Sequence, residues 1–469
     1  MNLSELSLKR PVFAMVCSIV IIIFGAIGYK FLGVREYPAI DPAVINVRTS
    51  YVGASAEIVE QQITEPLEKA INGVQGVKNI TSNSAQGSSN ITVEFELNVD
   101  LEKAANDVRD KVSQATGQLP QDIDAPPIVT KADSDSDPII FLQIQSQRKG
   151  LLELTDFAEN VVQERLQTIS GVSGVNVFGK RYAMRLWINP SKLGAYKITI
   201  NDIRAALDRE NIELPGGKIR GNATQLIVKT YGKLTTEEEF NNLIIRESGD
   251  AIVRFKDVGI AMLGPDNEES ASRKNNIPSV NLGVIAQPGS NQIEIADEIY
   301  KRIDQIKKDM PPDIILEVGY DRTSFVRKAV TEVKETLLIA IGLVVLIIFL
   351  FFREWSIALR PLIDIPVSLI GAFFIMYIAG FSINVLTLLA IVLATGLVVD
   401  DGIVVTENIF KKMEQGMNKH KAALEGSKEI YFAVIATSLT LAIVFLPIIF
   451  LEGFVGRLFR EFGIVLAGA

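Results

Sequence analysis

The chain has 469 residues, with 47 lysines and arginines against 55 aspartates and glutamates, and the resulting charge of −8 argues against a nucleic-acid binder held by basic surface. Hydrophobic residues make up 48% and charged ones 22%, which fits neither a disordered chain nor a wholly lipid-buried bundle, so apolar and soluble portions must be segregated along the sequence. One His and one Cys leave no material for a structural disulfide, a Cys/His zinc site, or a Cys-His or Ser-His catalytic pair.

The first apolar run, Pro11 to Gly28 behind Lys9 and Arg10, has about the length needed to cross a hydrocarbon core of roughly 30 Å. It is too long for a signal-peptide core and no small-x-small cleavage site follows it, so it reads as a span. Cys17 inside it reads as an inert thiol. Next comes a helix from Ala54 to Ile71, with Ile58, Ile63, Leu67 and Ile71 at helical spacing and Gly73 as the expected C-cap. Gly73-Val74-Gln75-Gly76-Val77 leads into alternating strand-like sequence through Leu97, and a second helix, Leu101 to Thr116, closes on Leu119-Pro120. The same grammar returns in helix Leu152 to Ile169, in Gly171-Val172-Ser173-Gly174-Val175 with a strand through Phe178, and much later in helix Gln292 to Lys308. Two copies of a βαβ-type layout are the simplest reading. Arg181 to Arg273, with a helix near Ile200 to Arg209 and a Gly-rich turn at Pro215-Gly216-Gly217, reads as a subdomain inserted in the second copy.

Four further apolar runs predict spans at Leu337 to Phe352, Leu362 to Ala379, Val385 to Ile409 and Tyr431 to Leu451, and a shorter apolar stretch runs from Phe462 to Ala469. Arg353, Arg360, Lys411, Lys412, Lys419, Lys421 and Lys428 fall in the short connections, which are therefore expected in the cytoplasm, with Lys30 to Lys334 on the outer side. Asp400 and Asp401 sit within the fourth span, where each ionised carboxylate costs about 2.5 to 3.5 kcal/mol. Adjacent helix positions lie about 100° apart, so both are expected to point into the bundle in neighbouring directions. A pair neutralised by a static Lys or Arg is the structural alternative; a proton relay is the functional one. Arg360 and Asp364, four apart, read as an ion pair on one helix face, Glu407 as either a solvated helix-end carboxylate or a proton exit, and His420 as solvated.

On the strand from Ile139 to Gln145, Ile140, Leu142 and Ile144 form the expected core face, leaving Ile139, Phe141, Gln143 and Gln145 opposite. That mixed apolar and amide face suits a cleft for amphiphilic molecules, and Asn176 with Phe178 repeats the combination on a second strand. Plain packing accounts for such aromatics equally well. Asn90 is a further candidate. A transport ATPase would need a Walker-type glycine loop, which the sequence lacks.

Leu8-Lys9-Arg10-Pro11-Val12, Glu36-Tyr37-Pro38, Tyr51-Val52-Gly53-Ala54-Ser55-Ala56-Glu57, Thr64-Glu65-Pro66-Leu67-Glu68 and above all Gly396-Leu397-Val398-Val399-Asp400-Asp401 with Glu407-Asn408 resemble the resistance-nodulation-division efflux pumps, hydrophobe/amphiphile exporter branch. The resemblance runs the length of the chain in order. It implies an α+β polytopic membrane protein: a transmembrane helix bundle plus a large periplasmic domain of duplicated βαβ-type porter subdomains with an inserted docking subdomain. The implied division is a first transmembrane helix at 1–30, a first porter subdomain at 31–132, a second in two parts at 133–180 and 274–332, docking at 181–273, and the remaining helices at 333–469.

The implied activity is proton-driven export of hydrophobic and amphiphilic compounds, without a cofactor, from the inner membrane. A homotrimer would work with a periplasmic adaptor protein and an outer-membrane channel. Asp400 and Asp401 would carry protons, and Phe178 matches a family position in an aromatic drug pocket. Family members are built from two similar halves and are roughly twice this long, so the chain reads as an N-terminal half whose carboxylates find their cationic partners elsewhere. Val52 stands where the family often has Pro, and Pro215 to Gly221 is short for the arm that reaches a neighbouring subunit. A heavy-metal pump of the same family, a membrane-anchored binding or sensor module, and a non-functional fragment are the competing readings; paired membrane carboxylates speak against the sensor, which needs no proton path.

Overall fold

Among the described residues, five helices are long and apolar enough to cross a membrane: Pro11–Phe31, Thr323–Phe352, Pro361–Ile378, Val385–Glu414 and Lys419–Phe450. They are called the first to fifth spans below. The computed structural model describes residues 3–38, 43–96, 99–123, 125–132, 137–212, 215–220, 225–229, 232–248, 251–451 and 453–469. Proline occupies the first helical position of the first and third spans, where its missing N–H breaks no hydrogen bond. The second span starts at Thr323, well before the apolar run, because the polar turns from Thr323 to Glu335 continue the same helix. A sixth helix, Gly453–Gly468, begins at Gly453 in a left-handed turn with φ 85°. It therefore starts upstream of the apolar stretch that marked it in the sequence.

Small residues set the closest helix contact. Gly25 and Gly28 are buried where the first span crosses the third, and a Cβ at Gly28 would stand 2.9 Å from the Phe373 carbonyl oxygen. The rings of Phe24 and Phe374, and of Tyr29 and Phe373, then meet with centroids 5.1 Å apart. Much of the remaining helix surface is apolar and exposed, including Phe13, Leu338, Phe351 and Phe432, as expected of helices that face lipid or further helices.

Between the first and second spans, the chain folds into two sheets of the same topology. The first runs Val77–Ala85, Ser88–Phe95, Val44–Ser50, Ile128–Lys131, with every neighbouring pair antiparallel. The second runs Val172–Phe178, Ile277–Ala286, Ile140–Ser146, Ile314–Asp321, again antiparallel throughout. Each is therefore a split β-α-β-β-α-β unit, the duplication expected from the sequence. Alternation drives the packing: Ile45, Val47, Ile91 and Val93 point at helices carrying Ile63, Leu67 and Val108, all fully buried. Leu142, Ile144, Val280 and Leu282 meet Leu154, Val162, Ile299 and Ile306 in the same way.

The repeat has a different register from the one its glycines suggest. Helix Glu65–Ile71 ends on Asn72, not Gly73, and the positive φ falls on Gly76 (84°) directly before strand Val77–Ala85. In the second copy it falls on Gly171 (88°), directly before Val172–Phe178. Gly76 and Gly171 are thus equivalent, because each supplies the left-handed residue that turns a helix exit into a strand. Leu97, the expected end of the first strand region, lies outside the described residues.

The segment between Phe178 and Ile277 contains the paired strands Tyr182–Ile188 and Gly259–Pro265 and the helix Ile200–Glu210, which Thr199 and Asp202 close with a capping box. The Thr199 N–H and hydroxyl and the Arg246 guanidinium hold the Asp202 carboxyl below its usual pKa. The turn at Pro215 opens into an antiparallel ribbon, Pro215–Arg220 with Gln225–Lys229; residues 213–214 and 221–224 of this region lie outside the described residues.

Candidate functional site

The fourth span starts at a fixed point. Asn384 Oδ1 accepts from the backbone N–H groups of Leu386 and Thr387 at 3.0 Å each, an N-cap that sets where the helix begins. Asp400 and Asp401 follow on the same unbroken helix. Asp401 turns toward the fifth span, where Ser438 Oγ donates to it at 2.7 Å and Thr437 Oγ1 at 3.2 Å. Asp400, one position earlier, is exposed and has no hydrogen bond among the described residues. The two carboxylates therefore take different surroundings: one is held by hydroxyls, the other faces outward. Neither meets a cation among the described residues.

One position further, Gly402 leaves room for the third span. Asp364 Oδ2 would lie 3.5 Å from a Cβ at that position. The expected Arg360–Asp364 pair is present at 3.0 Å, and Arg360 also donates to Thr406, whose hydroxyl donates to the Gly402 carbonyl at 2.7 Å. The pair thus bridges two spans instead of decorating one helix face. Glu407 is exposed, whereas Asn408 Nδ2 donates to the Gly426 carbonyl at 2.8 Å and ties the fourth span to the fifth. Glycine at 426 permits that approach, since a Cβ there would stand 3.0 Å from Ile409 Cα.

In the second sheet, strand register assembles a single face. Phe178 lies opposite Asn281, Asn281 opposite Gln143, and Gln143 opposite Glu317. The adjacent row runs Asn176, Gly283, Phe141, Tyr320. Phe178 is 51% exposed and Asn176 is exposed, while Phe141 is half-buried with its ring 3.4 Å from where a Cβ on Gly283 would be. Gln143 Oε1 and Asn281 Oδ1 are buried without a hydrogen-bond donor. Asn281 was not apparent from sequence, because its place beside Phe178 depends on a pairing across the inserted segment.

Ile139 does not belong to this face. It is 2% exposed and lies in the core, just ahead of strand Ile140–Ser146, with its N–H on Val284 and its carbonyl accepting from Arg322. The strict alternation assumed for it applies only once the strand has begun. Asn90 is exposed but stands on the first sheet, opposite Arg48 and Asn83, so it is not brought beside Phe178.

Near the root of the second span, Arg322 Nε donates to Glu36 at 2.6 Å, and this hydrogen bond raises the Arg322 pKa above its ordinary value. Tyr300 donates to the neighbouring Asp321 at 2.9 Å; partial burial, with that hydrogen bond, pushes its phenol up to about 12.

An array of apolar helices joined to a duplicated α/β unit, with adjacent carboxylates inside one helix, defines a membrane protein of the multi-span class with ionisable groups in its helices. A model described as the AcrB/AcrD/AcrF family matches residues 3–469, and the chain belongs to this family of resistance-nodulation-division proteins. It is 34% identical to multidrug resistance protein MdtC of Pectobacterium atrosepticum over 100% of this chain and 46% of that protein. It is 36% identical to the MdtC proteins of Photorhabdus laumondii and Proteus mirabilis, over 99% and 100% of this chain and 45% and 46% of theirs. The chain thus spans less than half the length of the curated relatives it matches.

Proposed function

We propose that this chain supplies one half of a pump that exports hydrophobic and amphiphilic compounds in exchange for protons. The observation that carries the reading is the Asp400-Asp401 pair: two carboxylates in an apolar span, one held by hydroxyls of the next span and neither with a cation among the described residues. Holding both there costs about 2.5 to 3.5 kcal/mol each when ionised, a cost that a reversible proton carrier makes sense of and a structural helix does not. Protonation removes that cost and deprotonation restores it, so each cycle changes how the fourth span sits against its neighbours. The MdtC relatives, named for multidrug resistance, support the substrate class.

In this reading the α/β region lies in the periplasm and the spans in the inner membrane. The two split β-α-β-β-α-β units act as porter subdomains, and the inserted segment docks an adaptor and an outer-membrane channel. Phe178, Asn176 and Phe141 then form a wall of the substrate cleft, with the exposed Asn176 amide in the row next to the exposed Phe178 ring. Exposed aromatic surface beside polar amides fits molecules with one apolar and one polar end. The ribbon at Pro215–Arg220 reaches a neighbouring protomer of a trimer.

Asp400→Asn and Asp401→Asn, each made in the complete pump, test the reading through dye export from intact cells. Each is expected to reduce proton-driven export to background while the protein still reaches the membrane. Near-normal export by either variant would remove that residue from the relay.

A further inference from the structure

Glu461 is a carboxylate for which the export reading has no use, yet it is only 8% exposed among apolar neighbours Phe462 and Val465 of helix Gly453–Gly468. Its Oε2 accepts from Asn384 Nδ2 at 2.6 Å. Asn384, fully buried, is also the cap of the fourth span, and its amide nitrogen donates to Ser382 Oγ at 3.0 Å and contacts the Ser382 carbonyl at 3.2 Å. Thr387 closes the cluster, with its hydroxyl 2.8 Å from the Asn384 N–H and 3.0 Å from the Ser382 carbonyl. Arg35, 7% exposed, stands near enough to attract the carboxylate electrostatically.

This cluster sits where the helices join the α/β region. Ile383 exchanges backbone hydrogen bonds with the linker after the first span, its N–H on the Gly33 carbonyl at 2.9 Å and its carbonyl on the Arg35 N–H at 3.0 Å. Val385 donates to the Glu36 carbonyl, and Gln292, the first residue of helix Gln292–Asp309, donates to the Val34 carbonyl at 3.0 Å. Glu36 in turn pairs with Arg322 at the root of the second span. One short stretch of backbone therefore connects the capped end of the carboxylate-bearing helix to both an α/β helix and the second span.

We propose that Glu461 is a positioning residue for transport: by holding Asn384, it locks the outer end of the fourth span to this junction, so that movement of that span reaches the α/β region. Asn384 has two jobs, and Glu461 fixes the half of its amide that the helix cap leaves over. A buried network of this kind is rigid when every member is satisfied and costly when one is not. The proposal rests on the export reading, since it concerns how that span transmits its motion.

A donor-acceptor swap in the complete pump tests it. Asn384→Asp keeps the cap oxygen but sets two carboxyl groups against each other. Combining it with Glu461→Gln restores a donor facing an acceptor. The single variant is expected to lower the maximal export rate by about tenfold or more with KM within about twofold, and the double variant to recover most of that rate. Amide exchange across residues 380–388 should rise in the single variant and fall back in the double. Wild-type export by Asn384→Asp, or a double variant no better than the single, would overturn the proposal. So would recovery of protein level alone, with an unchanged maximal rate per molecule, which would reduce the pair to a packing contact. If the unaltered pump shows no proton-driven export, the export reading fails instead, and the amide-exchange arm still decides the lock.

Discussion

Asp400 and Asp401 are neighbours in sequence, but the roughly 100° between consecutive helix positions puts only Asp401 within reach of the fifth span. Its two hydroxyl donors hold the carboxylate in place without introducing a second charge. Removing both donors with Thr437→Val and Ser438→Ala is expected to lower export by about three- to tenfold, less than loss of the carboxylate itself. Dye efflux normalised to membrane protein checks this, and equality with Asp401→Asn would mean the hydroxyls do more than steady it. The carboxylates themselves were visible in sequence, because charge in an apolar run stands out. Thr437 and Ser438 were not: hydroxyls in an apolar helix are unremarkable until the neighbouring span is placed. Ile139 and Asn281 failed for a related reason, since face assignment along a strand requires knowing where the strand begins and which strand pairs with it.

Among elements, helix identity followed readily from apolar periodicity and runs, and the starts expected at Leu101 and Gln292 hold in the structure, where Asp100 and Asn291 cap them. Glycine motifs were less reliable. The first Gly of each Gly-Val-x-Gly-Val motif attracted the repeat alignment, whereas the backbone needs its left-handed residue only at Gly76 and Gly171. The ribbon that follows the Gly-rich turn at Pro215 carries apolar side chains as well. Ile219 and Leu226 face each other across the pair and are 60% and 62% exposed, an apolar contact waiting for something outside its own subdomain. If the ribbon makes the subunit contact of the proposed trimer, Ile219→Glu with Leu226→Glu is expected to shift the detergent-extracted complete pump to smaller species in native mass measurement. An unchanged trimer would place the ribbon's contact elsewhere.

At the scale of the whole molecule, the duplicated α/β units hang from the ends of the first and second spans, and the linker at Gly33 to Glu36 meets the start of the fourth. This places the candidate cleft and the carboxylate pair on one connected frame, as coupling between them requires. The frame was legible only in outline. Composition separated the apolar from the soluble portions, and repeated grammar indicated the duplication, but the junction is made by backbone hydrogen bonds that leave no side-chain signature.

The deciding question is whether proton movement drives export through the fourth span. Complete pump reconstituted in vesicles, with an acidic pH imposed on the side that bears the α/β region, allows substrate and proton fluxes to be followed together. Substrate is expected to move toward the acidic side, matched by proton flow in the opposite direction, with that substrate movement abolished by a protonophore and both fluxes absent in the Asp401→Asn protein. Substrate export that persists without the gradient, or that survives in Asp401→Asn with proton flow intact, would contradict proton-driven export through this span.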